Sequence, residues 1–416
     1  MTPEGTAAKP KVVAAKPKAK RVTARRQARP AVTEEEPERS QVEAPPTRRP
    51  EPSQQAEKIA VVGIPASGKT TYFRYLSGHF GLNLPIVYLP QRSNKSIPIC
   101  GDISQDVVME ETTFEAVDPS RPTSEMETTT RMYVSRPMED PTKLFVELSA
   151  GKEEQGVLTK YPLPTKYNQF VDMKIYFRYG LEGKDTQSTP MVLHTVDEAG
   201  GIISDYYTYD RLWIRDPNAE VSAEQCRVIP QFETWPIDRQ ELWRHGLTLM
   251  GRFVVEADGL ILLLSPQLSS LRESSQQVNL ARGVLRYVRE KNIPLVIAIS
   301  KADLLKDFYS EIEQALTNRD FVSTFDTNSF LTEHDGSGLG SILVAAQSSG
   351  LFRTEEDAFL VASAISTGEG RPLLYGDTPT GSPSDESSHM GVPVMVNTTL
   401  PVARICERVL VKRAGK

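Results

Sequence analysis

Four short groups of residues in this 416-residue chain could do chemistry together. The first is Gly63-x-x-x-x-Gly68-Lys69-Thr70, entered from the apolar run 59–62 and followed by helix-forming sequence through about Leu76. Its spacing has a physical reading. Gly63 ends a strand in a tight turn, and Gly68 lets the backbone curl where a Cβ would clash. The backbone N–H groups of Ala66, Ser67, Gly68, Lys69, Thr70 and Thr71, at the positive end of the helix, then form a cradle for phosphate. The Lys69 ammonium would reach the outer phosphates and the Thr70 hydroxyl would hold Mg²⁺. Pro65 removes one N–H from that cradle. The pattern predicts nucleotide binding.

The other three groups each follow an apolar strand. Asp197-Glu198-Ala199-Gly200 comes after 191–196, Ser300-Lys301-Ala302-Asp303 after 295–299, and Ser363-Ala364-Ile365 within the run from 359. A carboxylate at Asp303 can accept both the N1–H and the N2 amine of guanine, a pairing adenine cannot offer. In this order the four groups resemble those of P-loop GTPases of the Ras and translation-factor superclass. The resemblance implies GTP/GDP and Mg²⁺ as ligands. By it, Asp197 meets Mg²⁺ and the Gly200 N–H meets the γ-phosphate. Ser300, Lys301 and Asp303 stand for the guanine-reading Asn/Thr-Lys-x-Asp, with the Lys301 stem on the base face, and Ser363-Ala364 meets guanine O6. The large insertions and the Ser-Lys-Ala-Asp form resemble the double-GTPase group of divergent bacterial GTPases.

A first-switch threonine, sensing Mg²⁺ and the γ-phosphate, is expected before the second strand. Thr165 has the matching order and position, and Thr128, Thr129 and Thr130 compete with it. The sequence departs from the resemblance at Gly201, where Ras-like enzymes place the glutamine that orients water. Slow or partner-assisted hydrolysis is therefore expected, with Glu198 and the arginines of the insertions as candidate substitutes. Two other readings stay open. Asp197-Glu198 could be the acid pair of a P-loop ATPase or kinase, although His194 and Thr195 interrupt the apolar strand expected there. Alternatively the chain is a scaffold that binds nucleotide without hydrolysing it.

Elements that would position these groups are legible as alternating strands and helices. Strands are expected at 59–62, 173–179, 191–196, 260–264, 295–299 and 359–362. A helix runs between the fourth and fifth, where Val278, Ala281, Leu285 and Val288 recur at helical spacing. The fold class is α/β: a three-layer P-loop NTPase fold with a mostly parallel central sheet, bearing ligands at the carboxyl ends of its strands. Insertions at about 80–164 and 202–256 interrupt this domain, which spans 58–416. The first contains possible short strands at 99–102 and 144–148. The second carries Trp213, Trp235 and Trp243, either a small satellite core or a protein-binding face. His194 reads as a satisfied core histidine. Residues 368–392 read as a mobile loop, and 401–412 as a closing amphipathic helix.

Composition excludes some classes. Three widely spaced cysteines argue against a disulfide framework, and with five scattered histidines no zinc site is expected. The longest apolar run, 259–264, is too short to span a bilayer. No secretory signal is evident, so a cytoplasmic location is expected. A formal net charge of −6 makes the whole chain no obvious nucleic-acid binder. Residues 1–57 are a disordered, Lys/Arg- and Pro-rich tail, either a basic arm for nucleic acid or acidic surfaces or a solvated tether. A protein effector or activator is the expected partner.

Overall fold

A computed structural model describes residues 56–64, 67–73, 76, 86–87, 101–103, 108–116, 126–134, 169–181, 188–198, 201–266, 271–305, 308, 310–312, 314, 339–350, 358–361, 374–375, 392–393 and 395–415. The chain divides into two units, Met1–Glu51 and Pro52–Lys416, and every described residue belongs to the second. Residues 1–55, the run 144–148 and the loop 368–373 and 376–391 lie outside the described residues, and Glu57, counted from sequence as the last of the tail, opens the first strand.

The strands are β1 (Glu57–Val62), β2 (Ile86–Val87), β3 (Gly101–Ile103), β4 (Val108–Ala116), β5 (Met126–Val134), β6 (Gln169–Leu181), β7 (Thr189–Glu198), β8 (Gly259–Leu264), β9 (Leu295–Ile299), β10 (Ala358–Leu360), β11 (Leu374–Tyr375), β12 (Val392–Pro393) and β13 (Met395–Val396). The helices are α1 (Ile202–Thr208), α2 (Ala223–Cys226), α3 (Ile237–Val255), α4 (Leu271–Lys291), α5 (Leu339–Ser348) and α6 (Leu400–Ala414). One sheet dominates, in the order β10-β9-β8-β1-β7-β6-β4-β5, with β3 also paired to β6. From β10 to β7 every pairing is parallel. From β7 onward every pairing is antiparallel.

Burial explains both halves. β8 and β9 are apolar throughout and fully buried, as a parallel strand covered on both faces must be. Along β6 the sequence alternates instead. Met173, Ile175, Phe177 and Tyr179 are buried while Lys174, Tyr176 and Arg178 between them are not. β6 is thus apolar on one face and polar on the other where it opens the antiparallel wing. That wing is built partly from the first insertion, whose β4 and β5 have too many Thr and Glu residues to announce themselves as strands.

The main core fills one side of the sheet, where side chains of α1, α3, α4 and α5 meet Ala60, Val62, Leu260, Leu262 and Leu264. A second core lies opposite, where Tyr72, Phe73 and Leu76 and the inner face of α6 meet Ile59, Val61, Ile261 and Leu263. Helices on both faces make three layers. Trp213, Trp235 and Trp243 pack against the main core itself rather than forming a satellite. They do so through edge contacts, Trp213 on Tyr287 and Trp235 on Trp243.

The tightest packing joins α1 to α4. Gly283 lies so close to α1 that a Cβ there would sit 2.1 Å from the Tyr207 carbonyl oxygen. Gly283→Ala gains about 1 kcal/mol of helix propensity. It forces two backbones apart, however, and overpacking of this kind costs about 2–3 kcal/mol. A lower urea midpoint with an unchanged slope is the expected result in equilibrium unfolding.

Candidate functional site

β1, β7, β8, β9 and β10 all end at the same edge of the sheet, where Gly63, Gly68, Lys69, Thr70, Asp197, Ser300 and Lys301 sit. Gly63 leaves β1 in a turn with no room for a side chain. A Cβ would lie 2.4 Å from Ser67 Oγ and 2.7 Å from the Leu263 carbonyl oxygen. The turn closes through a bond from the Ser67 N–H to the Ile64 oxygen at 3.1 Å. Gly68 has φ +85°, a region costly for any residue with a Cβ. A helix then starts at Lys69, and the Tyr72 N–H donates to the Gly68 oxygen at 2.8 Å.

Lys69 is the centre of the arrangement. Its side chain is 4% exposed. Its ammonium donates to the Gly63 oxygen at 2.8 Å and the Ile64 oxygen at 3.2 Å. Asp197 Oδ1 stands 3.5 Å from the same nitrogen. Only such partners make a buried charge tolerable. The register explains the meeting. Ala60 on β1 pairs with His194 on β7, so Asp197 falls beside Gly63. Thr70 Oγ1 donates to Asp197 Oδ2, completing a Lys69–Asp197–Thr70 cluster.

This cluster fits a nucleotide phosphate with its Mg²⁺. Thr70 and Asp197 offer adjacent hard oxygens, the donors Mg²⁺ prefers. Ser67 Oγ is buried without a hydrogen-bond partner among the described residues, in the middle of the phosphate-loop turn. A buried orphan of that kind calls for a ligand or water.

The base-reading candidate is attached to the same loop. Ser300 follows β9, and its hydroxyl lies 2.6 Å from the Ser67 oxygen and 3.0 Å from the Leu264 oxygen. Lys301 takes a left-handed conformation (φ 52°, ψ 35°). Its Cε lies 3.9 Å from where a Gly68 Cβ would be. The Ala302 N–H donates to the Val361 oxygen at 3.2 Å, linking this turn to the residue that follows β10. Asp303 lies in the single helical turn Ala302–Leu304, and its side chain is outside the described residues.

The fold thus brings together Gly63, Ser67, Gly68, Lys69, Thr70, Asp197, Ser300 and Lys301. Thr71 lies half-buried on the same helix. Glu198 closes β7 with its side chain outside the described residues, and Ala66, Thr165, Gly200, Ser363 and Ala364 lie wholly outside them. The two polar residues that interrupt β7 have structural employment. The Thr195 hydroxyl donates to the Val61 oxygen at 2.8 Å, fastening β7 to β1. His194 pairs through Nε2 with Asp172 on β6 and sets its ring edge-on to Phe253 at 4.6 Å. Burial alone would raise the Asp172 carboxyl, but His194 and Lys174 outweigh it and hold the group below its ordinary range.

Two contacts carry no sequence signal. Gln277 on α4 is buried and holds the end of β8 from both sides. Its Oε1 accepts from the Ser265 N–H at 2.8 Å, and its Nε2 donates to the Ser265 oxygen at 3.0 Å. The Trp243 indole on α3 donates to Asp205 Oδ2 at 3.0 Å, in the helix that follows Gly201. Burial pushes the Asp205 carboxyl up to about 6, although the Trp243 bond opposes it.

No protein-family model and no curated protein matches the chain. Among solved structures it is similar to kinesin motor domains. One, from mutants described as revealing a signalling pathway for activation of the kinesin motor ATPase, is 13% identical over 55% of this chain and 73% of that one, with a TM-score of 0.23. Another, the motor domain of the Saccharomyces cerevisiae kinesin-related protein Kar3, is 11% identical over 55% of this chain and 75% of that one, with a TM-score of 0.25. Likenesses this weak carry no argument about this chain. Among the described residues no helix is long and apolar enough to cross a membrane.

Asp205 makes the α1–α3 contact sensitive to pH. The folded carboxyl keeps its proton to about pH 6, whereas the ordinary value is 3.8. Its contribution to stability is therefore complete below pH 3.8 and lost as pH rises through 6. Asp205→Asn, which keeps an oxygen for Trp243, should melt above the wild type at pH 7.5. That difference should shrink as pH falls from 6 toward 4 in thermal unfolding followed by circular dichroism. A difference independent of pH would contradict the assignment.

Proposed function

We propose that this chain is a guanine-nucleotide-binding P-loop NTPase: a regulatory GTPase that binds GTP or GDP with Mg²⁺ and hydrolyses GTP slowly or with a partner's help. One observation carries the guanine reading furthest. The Ser300 hydroxyl is bonded to the Ser67 carbonyl, so the turn holding Lys301 and Asp303 is fixed against the phosphate loop. A turn held there can read the base of the nucleotide whose phosphates the loop holds. In the ATPase reading, that attachment would have no task.

Roles follow from the chemistry of each group. The N–H groups of the loop from Ala66 to Thr71 cradle phosphate oxygens, and Lys69 offsets charge that builds on them during phosphoryl transfer. Thr70 and Asp197 hold the metal, with Thr165 as its proposed third protein ligand, and Gly200 lies against the outermost phosphate. Bound Mg²⁺ supplies charge neutralisation and an ordered oxygen shell. Lys301 packs on the base face, Asp303 reads its edge, and Ser363-Ala364 reads its carbonyl. Residues 58–416 act as one domain interrupted by the two insertions, and the insertions carry specificity for a protein effector.

The mode of regulation is set by α1. Ile202, Ile203, Ser204, Tyr206 and Tyr207 are all buried against α3 and α4. Displacement of the Asp197–Gly200 segment by the γ-phosphate would therefore be passed through α1 to its contacts with both α3 and α4.

The decisive measurement is binding of a fluorescent GDP with Mg²⁺, competed by GTP, ATP and XTP, in wild type and Asp303→Asn. GTP should compete at least 100-fold better than ATP, because a site built on paired hydrogen bonds strongly rejects a base that cannot make them. In the variant, preference should move to XTP. Equal competition by ATP, unchanged by the substitution, would sink the guanine reading and favour Glu198 as the base of an ATPase.

A further inference from the structure

Gly201 cannot orient water, and the space its side chain would fill is not empty. A Cβ built there would lie 3.8 Å from Gln276 Nε2 and 3.8 Å from the Trp243 ring. Gln276 is half-buried on α4 and brings its amide nitrogen to that position. The amide of its neighbour Gln277 is occupied on both sides by Ser265. That double bond fixes this part of α4 to the end of β8. The end of β8 in turn touches the phosphate-loop turn, since a Gly63 Cβ would meet the Leu263 oxygen. Gln276 thus projects from a helix clamped at the edge of the sheet where the phosphates are expected. It reaches the position that directly follows Asp197–Gly200, and the Trp243 ring lies as near to the same point.

We infer that Gln276 supplies from α4 the amide that Gly201 lacks, orienting the water that attacks the γ-phosphate. This inference rests on the GTPase reading above. The carboxamide has both faculties needed: its oxygen can accept from the water, and its N–H can donate to the developing phosphate charge. In the step itself the water oxygen bonds to the γ-phosphorus as the bond to the β–γ bridging oxygen breaks. The bridging pair leaves with GDP, and the water proton passes to the phosphate released. Gln276 is neither consumed nor required to take the proton, so a side chain of no basicity suffices. A group on a second helix also orients water only while α1 and α4 are packed, which places the rate under control of their contact.

The test uses the full chain with Gln276→Ala and the isosteric Gln276→Glu, which keeps the bulk and loses the N–H donor. Fluorescent GDP affinity should stay within threefold of wild type in both. Single-turnover GTP hydrolysis should fall by roughly 10²-fold, the order of loss when one positioned hydrogen-bond donor to a transition state is removed. The ternary complex with GDP and aluminium fluoride, a mimic of the transferring phosphate, should form in wild type and fail in both variants. A merely structural role would leave that complex intact in Gln276→Glu. Hydrolysis within threefold of wild type in Gln276→Ala, or an aluminium fluoride complex that persists in either variant, would overturn the inference while leaving the GTPase reading standing. Wild-type protein that binds GDP but never hydrolyses GTP overturns it equally. Failure of the wild type to bind guanine nucleotide at all would instead strike the reading on which it rests.

Discussion

A buried ammonium demands that its surroundings be built to fit it, and at the carboxyl edge of this sheet they are. Lys69 takes two backbone carbonyls from the turn it follows and one carboxylate from the adjacent strand. The turn must curl to offer those carbonyls, which requires Gly63 without a Cβ and Gly68 at positive φ. β7 must lie beside β1 in the register that brings Asp197 level with Gly63, and the Thr195 hydroxyl helps to fasten it there. Thr70 is then drawn to the same carboxylate. A shift of β7 by one residue would turn Asp197 to the other face and strand the lysine charge. Strand order, register and loop geometry are thus parts of one electrostatic solution.

Around that solution the sheet is asymmetric. Its parallel half is sealed on both sides and carries the proposed nucleotide groups on rigid strand ends. In the antiparallel wing β6 turns apolar residues to one side, and its polar side pairs the half-buried Asp172 with Lys174 and with His194 of β7. The second insertion, for its part, is no appendage. It supplies α1 to α3, whose side chains complete the main core, and removing it would open that core to water.

What the sequence disclosed depended on how local the signal was. Apolar runs such as 295–299 gave their strand to the residue, since a buried parallel strand must be apolar throughout. The phosphate loop was legible because its glycines and lysine answer to a backbone geometry only seven residues long. β4 and β5 escaped, because their Thr- and Glu-rich faces look like loop composition until a partner strand is known. The tryptophans were read as a satellite or a binding face, although the contacts that place them in the main core come from Tyr287 and from each other. Gln277, Asp205 and Gln276 gave no warning, since their partners lie on other elements. Thr165, Ser363 and Ala364 remain expectations, for they lie outside the described residues.

The phosphate-loop helix is not held by its own neighbourhood in sequence. Its Tyr72 hydroxyl donates to the Thr398 carbonyl at 2.6 Å, across 326 residues, just before α6 begins. α6 then runs under the sheet to place Arg413 on Glu57 at the start of β1. Its inner face supplies Val402, Ile405, Cys406 and Val409 to the core on which Tyr72 and Phe73 rest. A ribosome makes a chain from its N-terminal side, so the strand that carries the loop emerges well before its floor. The loop therefore waits through the 326 residues from Tyr72 to Thr398 without the helix that braces it. The bracing of the proposed phosphate site is in this way tied to the arrival of α6.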